Sequence, residues 1–288
     1  MDTSRFRVRP GEKVNLRRYS PVDTSPLRNK RKAAGRLDRG IERLAVLQEK
    51  LYAEDRWAVL LIFQAMDAAG KDSAIKHVMT GLNPQGTQVY SFKRPSDEEL
   101  DHDYLWRTNK ALPERGRIGI FNRSYYEEVL VVRVHPDVLS RQKLPASLVT
   151  KYLWRDRYDD INAFERYLTR NGTLVRKFFL HVSKEEQRRR FLERLDDPSK
   201  HWKFAAADLE ERDRWDEYMR AYEQALTRTS TRHAPWYIVP ADHKWFTRLV
   251  IAELVIQALE SLDLAFPAVT RAQLDALADA RKRLGLEP

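Results

Sequence analysis

Short apolar runs alternate with helix-like segments along most of the chain. The clearest run, WAVLLIFQAM, is almost wholly apolar, as is typical of a central parallel strand covered on both faces. Weaker runs follow, each separated by a segment of helical character: TQVYSF, RIGIFN, LVRKFFLHV and WYIVPA. This alternation predicts an α/β fold with a doubly wound, mainly parallel sheet, whose ligand lies at the carboxyl ends of the strands.

The segments around this βαβ core have different patterns. Apolar residues recur at helical spacing from Ala33 to Tyr52, which predicts an amphipathic helix leading into the fold. Residues 1–32 mix Arg, Pro, Gly and Ser without periodicity, so we expect an extended basic arm, followed by a single domain over 33–288. Two stretches, SKEEQRRRFLERLDDPSKHWKF and DLEERDRWDEYMRAYEQAL, carry too many charges for core helices. They predict either a movable lid over an anionic ligand, at approximately 184–210, or an ordinary solvated helix pair.

The charge balance favours an anionic partner. Lys and Arg number 52, and Asp and Glu 42, among the 288 residues, so the formal net charge is +10. Either a polyanionic ligand or a merely soluble basic surface accounts for this excess. Because the chain has no cysteine, disulfides and thiolate metal sites are excluded. The N-terminus lacks a signal-peptide core and no segment approaches the roughly 20 apolar residues of a membrane helix, which predicts a soluble cytoplasmic protein with no membrane partner.

The sequence DAAGKDS lies between the most strand-like run and a plausible helix. Its small residues let backbone N–H groups approach phosphate oxygens at a helix N-terminus, with Lys71 reaching the phosphate that is transferred. The match to G-x-x-x-x-G-K-[ST] is incomplete, because Ala65 occupies the first glycine position and Asp72 replaces the hydroxyl residue. The alternative is a buried turn with a lysine that extends to solvent. Context favours a phosphate loop, with these ligands: Ala68, Ala69, Gly70, Lys71, Asp72 and Ser73.

Carboxylates and an arginine accompany this loop. Asp67 and Asp72 flank the predicted phosphate site and suit Mg²⁺, a hard cation that is usually shared with substrate phosphates. A second strand ends in FNRSYYEE, which places Asn122, Arg123 and Glu127 at the neighbouring carboxyl end. Taken alone, Arg123 is best interpreted as a surface ion-pair partner. Taken with the loop, its planar fork is predicted to stabilise charge on a transferring phosphoryl group.

Further cations extend a predicted positive track beyond the loop. Four of them follow strands or open helices: Lys76, Lys93, Arg94 and Arg133. In the charged stretches, Glu and Asp offset most basic residues, so a solvated, internally paired helix is the better interpretation for these. Three residues there remain candidates for contact with a ligand: Arg194, Lys200 and Lys203. The histidines show no pair at zinc-ligand spacing, and structural or surface roles are expected for them.

Four blocks of sequence resemble the polyphosphate kinase 2 family, in its short one-domain branch. They are MDAAGKDS, FNRSYYEEVLVVRVHP, DDPSKHWKF and APWYIVPADHKW, in the same order as in the family. The resemblance runs from about Tyr52 to Leu259 and includes the loop of the P-loop kinase superfamily. It implies a three-layer P-loop kinase fold with a helical lid. It also implies phosphoryl transfer that depends on Mg²⁺, with Mn²⁺ as a possible substitute.

The resemblance also implies roles for individual residues. By position, Lys71 becomes a phosphate ligand together with Gly70, and Arg123 becomes a transition-state clamp. Asp67 becomes a magnesium ligand or an orienter of the acceptor phosphate. Asn122 stands where other branches place Asp, so Glu127 is the candidate for the second metal-binding carboxylate. Two residues become lid contacts: Arg194 and Lys203.

Three functions remain open from the sequence. The leading hypothesis is reversible phosphoryl transfer between inorganic polyphosphate and a nucleoside diphosphate, ADP or GDP. The nearest alternative is the same fold acting on nucleoside monophosphates such as AMP, or on both. The third is a polyanion- or nucleic-acid-binding protein with a relict loop, which is disfavoured because no RNA-recognition signature, zinc finger or aromatic platform is evident. The family resemblance further suggests a homodimer or homotetramer.

Overall fold

A five-stranded parallel sheet forms the centre of the molecule. The structure is a computed structural model, which describes residues 1–27 and 29–285. Each predicted apolar run supplies one strand: β1 Ala58–Gln64, β2 Thr87–Ser91, β3 Ile118–Asn122, β4 Thr173–His181 and β5 Trp236–Pro240. The predicted α/β class with a parallel sheet is confirmed.

The strand order β2-β3-β1-β4-β5 places β1 in the middle of the sheet. Every residue of β1 is buried, because a central parallel strand is covered on both faces. The register pairs Phe63 of β1 with Asn122 of β3 on one side and with Phe178 of β4 on the other. Since all strands run in the same direction, their carboxyl ends meet at one edge, where ligands bind in such folds.

Helices cover both faces of the sheet, which gives the expected three layers. Their bounds are α1 Lys30–Glu54, α2 Lys71–Val78, α3 Asp97–Leu100, α4 Trp106–Asn109, α5 Val131–Val134, α6 Pro136–Ser140, α7 Leu153–Arg170, α8 Lys184–Leu195, α9 Ala207–Asp213, α10 Trp215–Thr229, α11 Lys244–Glu260 and α12 Arg271–Leu284. α1 and α2 pack with α11 on one side of the sheet, and α7 packs with α10 on the other. In the described ranges 1–27 and 29–285, no helix has both the length and the apolar character needed to cross a membrane.

The segment before α1 is packed, unlike the extended arm that the sequence predicts. Its apolar side chains belong to the core: Phe6, Val8, Val14 and Leu16. Arg7 forms an antiparallel bridge with Tyr237 of β5, and the Val8 N–H donates to the Trp236 carbonyl at 2.9 Å. Because the segment follows the outer border of β5 in short turns, its buried residues have no regular spacing, and periodicity could not identify them.

The two charged stretches fold differently from one another. The first forms α8 and a 3₁₀ helix, Pro198–Lys203, and leads to α9; we call residues 184–213 the α8–α9 segment. The second stretch continues into α10, where Trp215, Tyr218 and Tyr222 are buried. α10 is therefore solvated on one face only, and its other face belongs to the core. Its apolar residues recur every three or four positions on one face, and the charges lie on the opposite face.

Candidate active site

The loop between β1 and α2 has a backbone that small residues adopt most readily. Ala68 and Gly70 have φ angles of 58° and 104°, in the left-handed region that penalises larger side chains. The Ala69 N–H donates to the Met66 carbonyl at 3.2 Å and closes the turn. Gly70 then caps α2, whose first N–H groups have no partner within the helix. The geometry is that of an anion-binding loop.

Lys71, the first residue of α2, is buried at the base of the loop. Its Nζ donates to the Ala65 carbonyl at 3.0 Å. Burial, and after it the charge of Arg123, lowers the pKa of Lys71, while the carboxylates of Asp67 and Glu127 act in the opposite direction. An anion bound against the ammonium group would offset both the burial and the repulsion from Arg123. The lysine is therefore set to receive a phosphate.

Arg123 is held beside this loop through its backbone and its side chain. Its φ of 63° is left-handed, and its N–H donates to the Phe63 carbonyl at 3.0 Å. Nη2 donates to Asp67 Oδ1 at 2.9 Å, and Nη1 lies 3.7 Å from Glu127 Oε2. The Glu127 charge is the largest influence on the pKa of Arg123 and raises it. The guanidinium is thus a permanent charge with a fixed direction.

Glu127 lies behind Arg123, away from the cleft that the loop forms with the α8–α9 segment. Its Oε1 accepts from Gln64 Nε2 at 2.9 Å, and its Oε2 faces Arg123. Both carboxylate oxygens therefore have protein neighbours. This position fits a carboxylate that orients Arg123 better than the second metal ligand that the sequence predicts.

Asn122 and Asp72 connect the ends of two strands to the start of α2. Asn122 Nδ2 donates to Asp72 Oδ1 at 2.6 Å and lies 3.4 Å from Ser91 Oγ at the end of β2. Ser73 Oγ accepts from Arg248 Nη2 of α11 at 2.7 Å. These bonds fix the residues after Lys71 and engage one of the two Asp72 oxygens. The bond from Arg123 likewise engages one oxygen of Asp67, so each carboxylate keeps one oxygen for a ligand.

The loop, the strand ends and the α8–α9 segment enclose a cleft of about 610 Å³. Its lining has nine Lys or Arg side chains and four Asp or Glu side chains. Most residues predicted from the sequence lie along it: Asp67, Ala68, Gly70, Lys71, Asp72, Ser73, Lys93, Arg94, Arg123, Arg194, Lys200 and Lys203. Because cations exceed anions in this concave site, its potential favours a ligand with several negative charges.

Two residues of the predicted positive track are not brought into the cleft. Lys76 is exposed on α2 and points away, since a residue five positions after Lys71 falls on another face of a helix with 3.6 residues per turn. Arg133 donates to the Tyr158 hydroxyl at 3.0 Å and lies over the ring of Trp154. It is therefore held against α7.

Arg190, which the sequence analysis does not retain as a site residue, joins the α8–α9 segment to the loop. Its buried Nη1 donates to the carbonyls of Ala68 at 3.0 Å and Ala69 at 2.7 Å. Nη2 donates to the carbonyls of Ala241 at 2.6 Å and Asp242 at 3.1 Å. One guanidinium thus fixes the underside of the phosphate loop to the end of β5.

Helical spacing contained the signal that distinguishes Arg190 from its neighbours. Arg190 is buried on the same face of α8 as Gln187. Gln187 Nε2 donates to the Asp67 carbonyl at 2.9 Å. Arg188 and Arg189, by contrast, are exposed and pair with glutamates one turn away. The prediction of a solvated, internally paired helix therefore holds for these two residues. Arg190 is also paired within the helix, since its Nε donates to Glu186 Oε1 at 2.7 Å, but it is buried and not solvated.

Six other lining residues were not predicted as site residues: Ser91, Phe92, Glu193, Trp202, Asp208 and Lys244. Burial raises the pKa of Asp208, and the charge of Asp67, which lines the same cleft, adds to the effect. Asp208 Oδ2 lies 3.7 Å from Arg194 Nη1. This pair crosses the α8–α9 segment and places one carboxylate among its cations.

The protein side chains alone do not complete a metal site. In the part of the chain that the structure describes, no group of three or more His, Cys, Asp or Glu residues could hold a metal ion. Asp67 nevertheless lines the cleft with a partly exposed carboxylate beside Lys71. This donor set fits an ion such as Mg²⁺, which proteins hold through one or two carboxylates together with substrate phosphates.

Known proteins share both the sequence and the fold of this chain. The sequence model of the family Polyphosphate kinase 2 (PPK2) matches residues 28–267. An ADP-polyphosphate phosphotransferase from Rhodopseudomonas palustris is 54% identical over 284 residues, which cover 98% of each chain. An AMP/ADP-polyphosphate phosphotransferase from Meiothermus ruber is 45% identical and covers 91% of this chain and 95% of its own.

The structural comparison gives the same result. The crystal structure of Polyphosphate Kinase 2 from Arthrobacter aurescens TC1 matches with a TM-score of 0.86 at 42% identity, covering 96% of this chain and 95% of that one. An agreement of sequence over nearly the whole length, together with this agreement of fold, identifies the chain as a member of the polyphosphate kinase 2 family.

Proposed function

We propose that this protein transfers a phosphoryl group reversibly between inorganic polyphosphate and a nucleoside diphosphate. The observation that carries the proposal is the convergence of Lys71, Arg123 and Asp67 at the base of a cationic cleft. Transfer between two phosphates requires little covalent chemistry from the protein, so positioning and neutralisation of charge account for most of the rate. The site supplies both.

Each element of the loop has a part in this reaction. The first N–H groups of α2 and the loop backbone bind the phosphate oxygens. Lys71 Nζ, which is bonded to the Ala65 carbonyl in the free protein, turns to the transferring group. Arg123, directed by Asp67 and Glu127, stabilises the charge that develops in the transition state.

A divalent ion, Mg²⁺ or Mn²⁺, would be held by Asp67 together with oxygens of the substrate phosphates. When bound, it supplies further neutralisation of the charge on the two phosphate chains. Asp67 is also the acceptor of the Arg123 hydrogen bond, so its carboxylate sets the direction of the guanidinium.

The α8–α9 segment serves as a lid over the polyphosphate. Besides Arg190, which holds the loop, three of its cations line the cleft: Arg194, Lys200 and Lys203. Lys93 and Arg94, after β2, line the other side. A phosphate polymer lying between these two sets meets positive charge along its length, and its affinity is expected to fall as salt is added.

The names of two relatives support two alternatives for the nucleotide that accepts the phosphoryl group. The protein from Rhodopseudomonas palustris is named for ADP, which supports a diphosphate acceptor; the protein from Meiothermus ruber is named for AMP and ADP, which supports action on both. Homo-oligomeric assembly and a cytoplasmic location stay predictions.

A coupled assay of ATP formation tests the proposal. The wild-type chain is given ADP, long-chain polyphosphate and Mg²⁺, and GDP and AMP replace ADP in parallel. Lys71→Met is expected to remove turnover, whereas Lys76→Met, on the same helix but outside the cleft, is expected to retain it. Chelation of the metal should stop the reaction, and Mg²⁺ or Mn²⁺ should restore it. No turnover with any acceptor from a folded wild-type protein would overturn the proposal.

A further inference from the structure

Arginines cluster at the edge of the sheet opposite the cleft. Arg56, Arg115, Arg170 and Arg232 each lie a few residues before a strand, and in a parallel sheet all strands begin at the same edge. Four more arginines lie at or near this edge, on β4, at the ends of α7 and α10 and beside β5. We call the set the basic edge: Arg7, Arg56, Arg115, Arg166, Arg170, Arg176, Arg228 and Arg232.

Side-chain hydrogen bonds to backbone carbonyls connect separate parts of the basic edge. Arg115 Nη1 donates to the Arg56 carbonyl at 3.1 Å, and Arg7 Nη2 donates to the Arg232 carbonyl at 3.4 Å. Burial lowers the pKa of Arg176, and the charge of Arg7 adds to the effect. The cluster thus extends from the start of β3 and β1, across β4, to the border of β5.

The basic edge has little compensation from acidic residues. In the described residues, none of its eight arginines forms an ion pair. Neighbouring Arg117 does pair, with Glu114 at 3.0 Å. Asp55 precedes Arg56 in the chain without pairing with it. Repulsion among unpaired cations destabilises the free protein, so a surface of this kind is best explained by an anionic ligand that relieves it.

We propose that the basic edge binds the part of a long polyphosphate chain that extends beyond the cleft. This inference rests on the proposed function, because the cleft must engage the same polymer. The nine residues of β4 span about 30 Å, so only a long chain reaches from the cleft to the opposite edge. Arginine suits this ligand, since its planar fork matches phosphate oxygens.

Chain length is the variable that tests the basic edge. The triple variant Arg166→Gln, Arg170→Gln, Arg232→Gln removes three exposed charges whose side chains make no hydrogen bond in the described structure. For long-chain polyphosphate its KM is expected to rise about tenfold, the low end of what electrostatic attraction contributes. For linear hexaphosphate, KM should stay within twofold of wild type, and kcat should be unchanged with both donors.

Two matched variants control for charge and for folding. The first removes three exposed arginines that each have a carboxylate partner: Arg43→Gln, Arg141→Gln and Arg155→Gln. Its net charge equals that of the basic-edge variant, and its KM for long chains should remain near wild type. The second changes the three basic-edge arginines to lysine, which keeps the charge, and most of the affinity for long chains should return.

The outcomes separate this inference from the proposed function. The wild-type protein could turn over while the triple Gln variant keeps the wild-type ratio of KM values for long and short chains. That result would overturn the proposed role of the basic edge and leave the proposed function standing. Absence of wild-type turnover would overturn the proposed function. Loss of binding to single-stranded RNA, without any change for polyphosphate, would assign the edge to nucleic acid. A changed oligomeric state with an unchanged KM would assign it to a subunit interface, and either result overturns the proposal.

Discussion

The floor of the cleft and the α8–α9 segment contain the same kinds of charged residue in opposite settings. On the floor, Lys71 is buried, and Arg123 is held by Asp67 and by its own backbone. On the segment, Arg188 and Lys200 are exposed and pair with carboxylates one turn away. The floor is fixed by contacts between elements distant in sequence. On the segment, the buried Arg190 makes such contacts too, whereas the exposed Arg188 and Lys200 pair within one helix or turn.

This difference suggests that the floor carries out the chemical step and that the exposed cations of the segment bind the substrate. Exposed ion pairs contribute about 0–1 kcal/mol each, so those of the segment exchange easily for a phosphate polymer. The floor cannot rearrange without leaving buried groups unpaired, which costs about 1–3 kcal/mol for each group. Changes on the floor, and at the buried Arg190 beneath the loop, should therefore act mainly on kcat, and changes at the exposed cations of the segment mainly on KM.

Arg123→Gln should have the largest effect. Loss of the charge that stabilises the transition state is expected to lower kcat/KM by about 10³-fold or more. Arg123→Lys restores the charge without the planar fork and should recover only part of the loss. Steady-state kinetics of both variants, with thermal unfolding to verify the fold, is the measurement. Equal activity of the Lys variant and wild type would show that charge alone suffices.

The second-largest effect is expected from alkaline pH, which should deprotonate Lys71. Its pKa is lowered below 10.5, so the neutral form appears early, and kcat/KM should fall about tenfold per pH unit above the lowered value. Stability should move in the opposite direction in that window, because the unfolded chain binds the proton that folded Lys71 has lost. Kinetic and unfolding profiles against pH measure both trends.

Lys244 is the control for that pH profile. It also lines the cleft, and burial lowers its pKa. The alkaline loss of activity should persist in Lys244→Met if Lys71 is the titrating group. Its disappearance in that variant would transfer the effect to Lys244.

Arg190→Gln should have a smaller effect, on both activity and stability. The carbonyls of Ala68 and Ala69 lose their donor, so the loop loses its fixed shape. We expect kcat to fall about tenfold and the free energy of unfolding to fall by about 3 kcal/mol, as for lost hydrogen bonds to a charged group. Arg189→Gln, the exposed neighbour, should change stability by less than about 0.5 kcal/mol. Similar effects from the two variants would contradict the anchoring role of Arg190.

The paired change Lys200→Gln, Lys203→Gln should have the smallest effect. These cations are exposed, so screening by salt limits their attraction for polyphosphate. We expect KM for polyphosphate to rise about threefold, the scale of an exposed ion pair, with kcat within twofold of wild type. Arg188→Gln is the matched control. A loss of kcat comparable to that of Arg123→Gln would erase the distinction between floor and segment.

The sequence allowed the strands and the loop to be predicted because their signals are local. An apolar run, a glycine and a lysine at its end lie within a few positions of each other. The role of Arg190 depends on contacts with the loop, more than a hundred residues away, and Asp208 lines the cleft from the same distant α8–α9 segment. Lys76 was misplaced because the prediction followed order along the chain and ignored the direction of a side chain on a helix.

The bridge between Arg7 and Tyr237 protects the chain against aggregation. A strand at the border of a sheet exposes unpaired backbone groups that recruit other molecules into aggregates. The N-terminal segment covers this border, with Val8 bonded to Trp236 and Phe6 inserted into the core. The N-terminal segment therefore prevents β5 from pairing with a strand of another molecule. A chain truncated before α1 would keep every catalytic side chain and yet self-associate through β5.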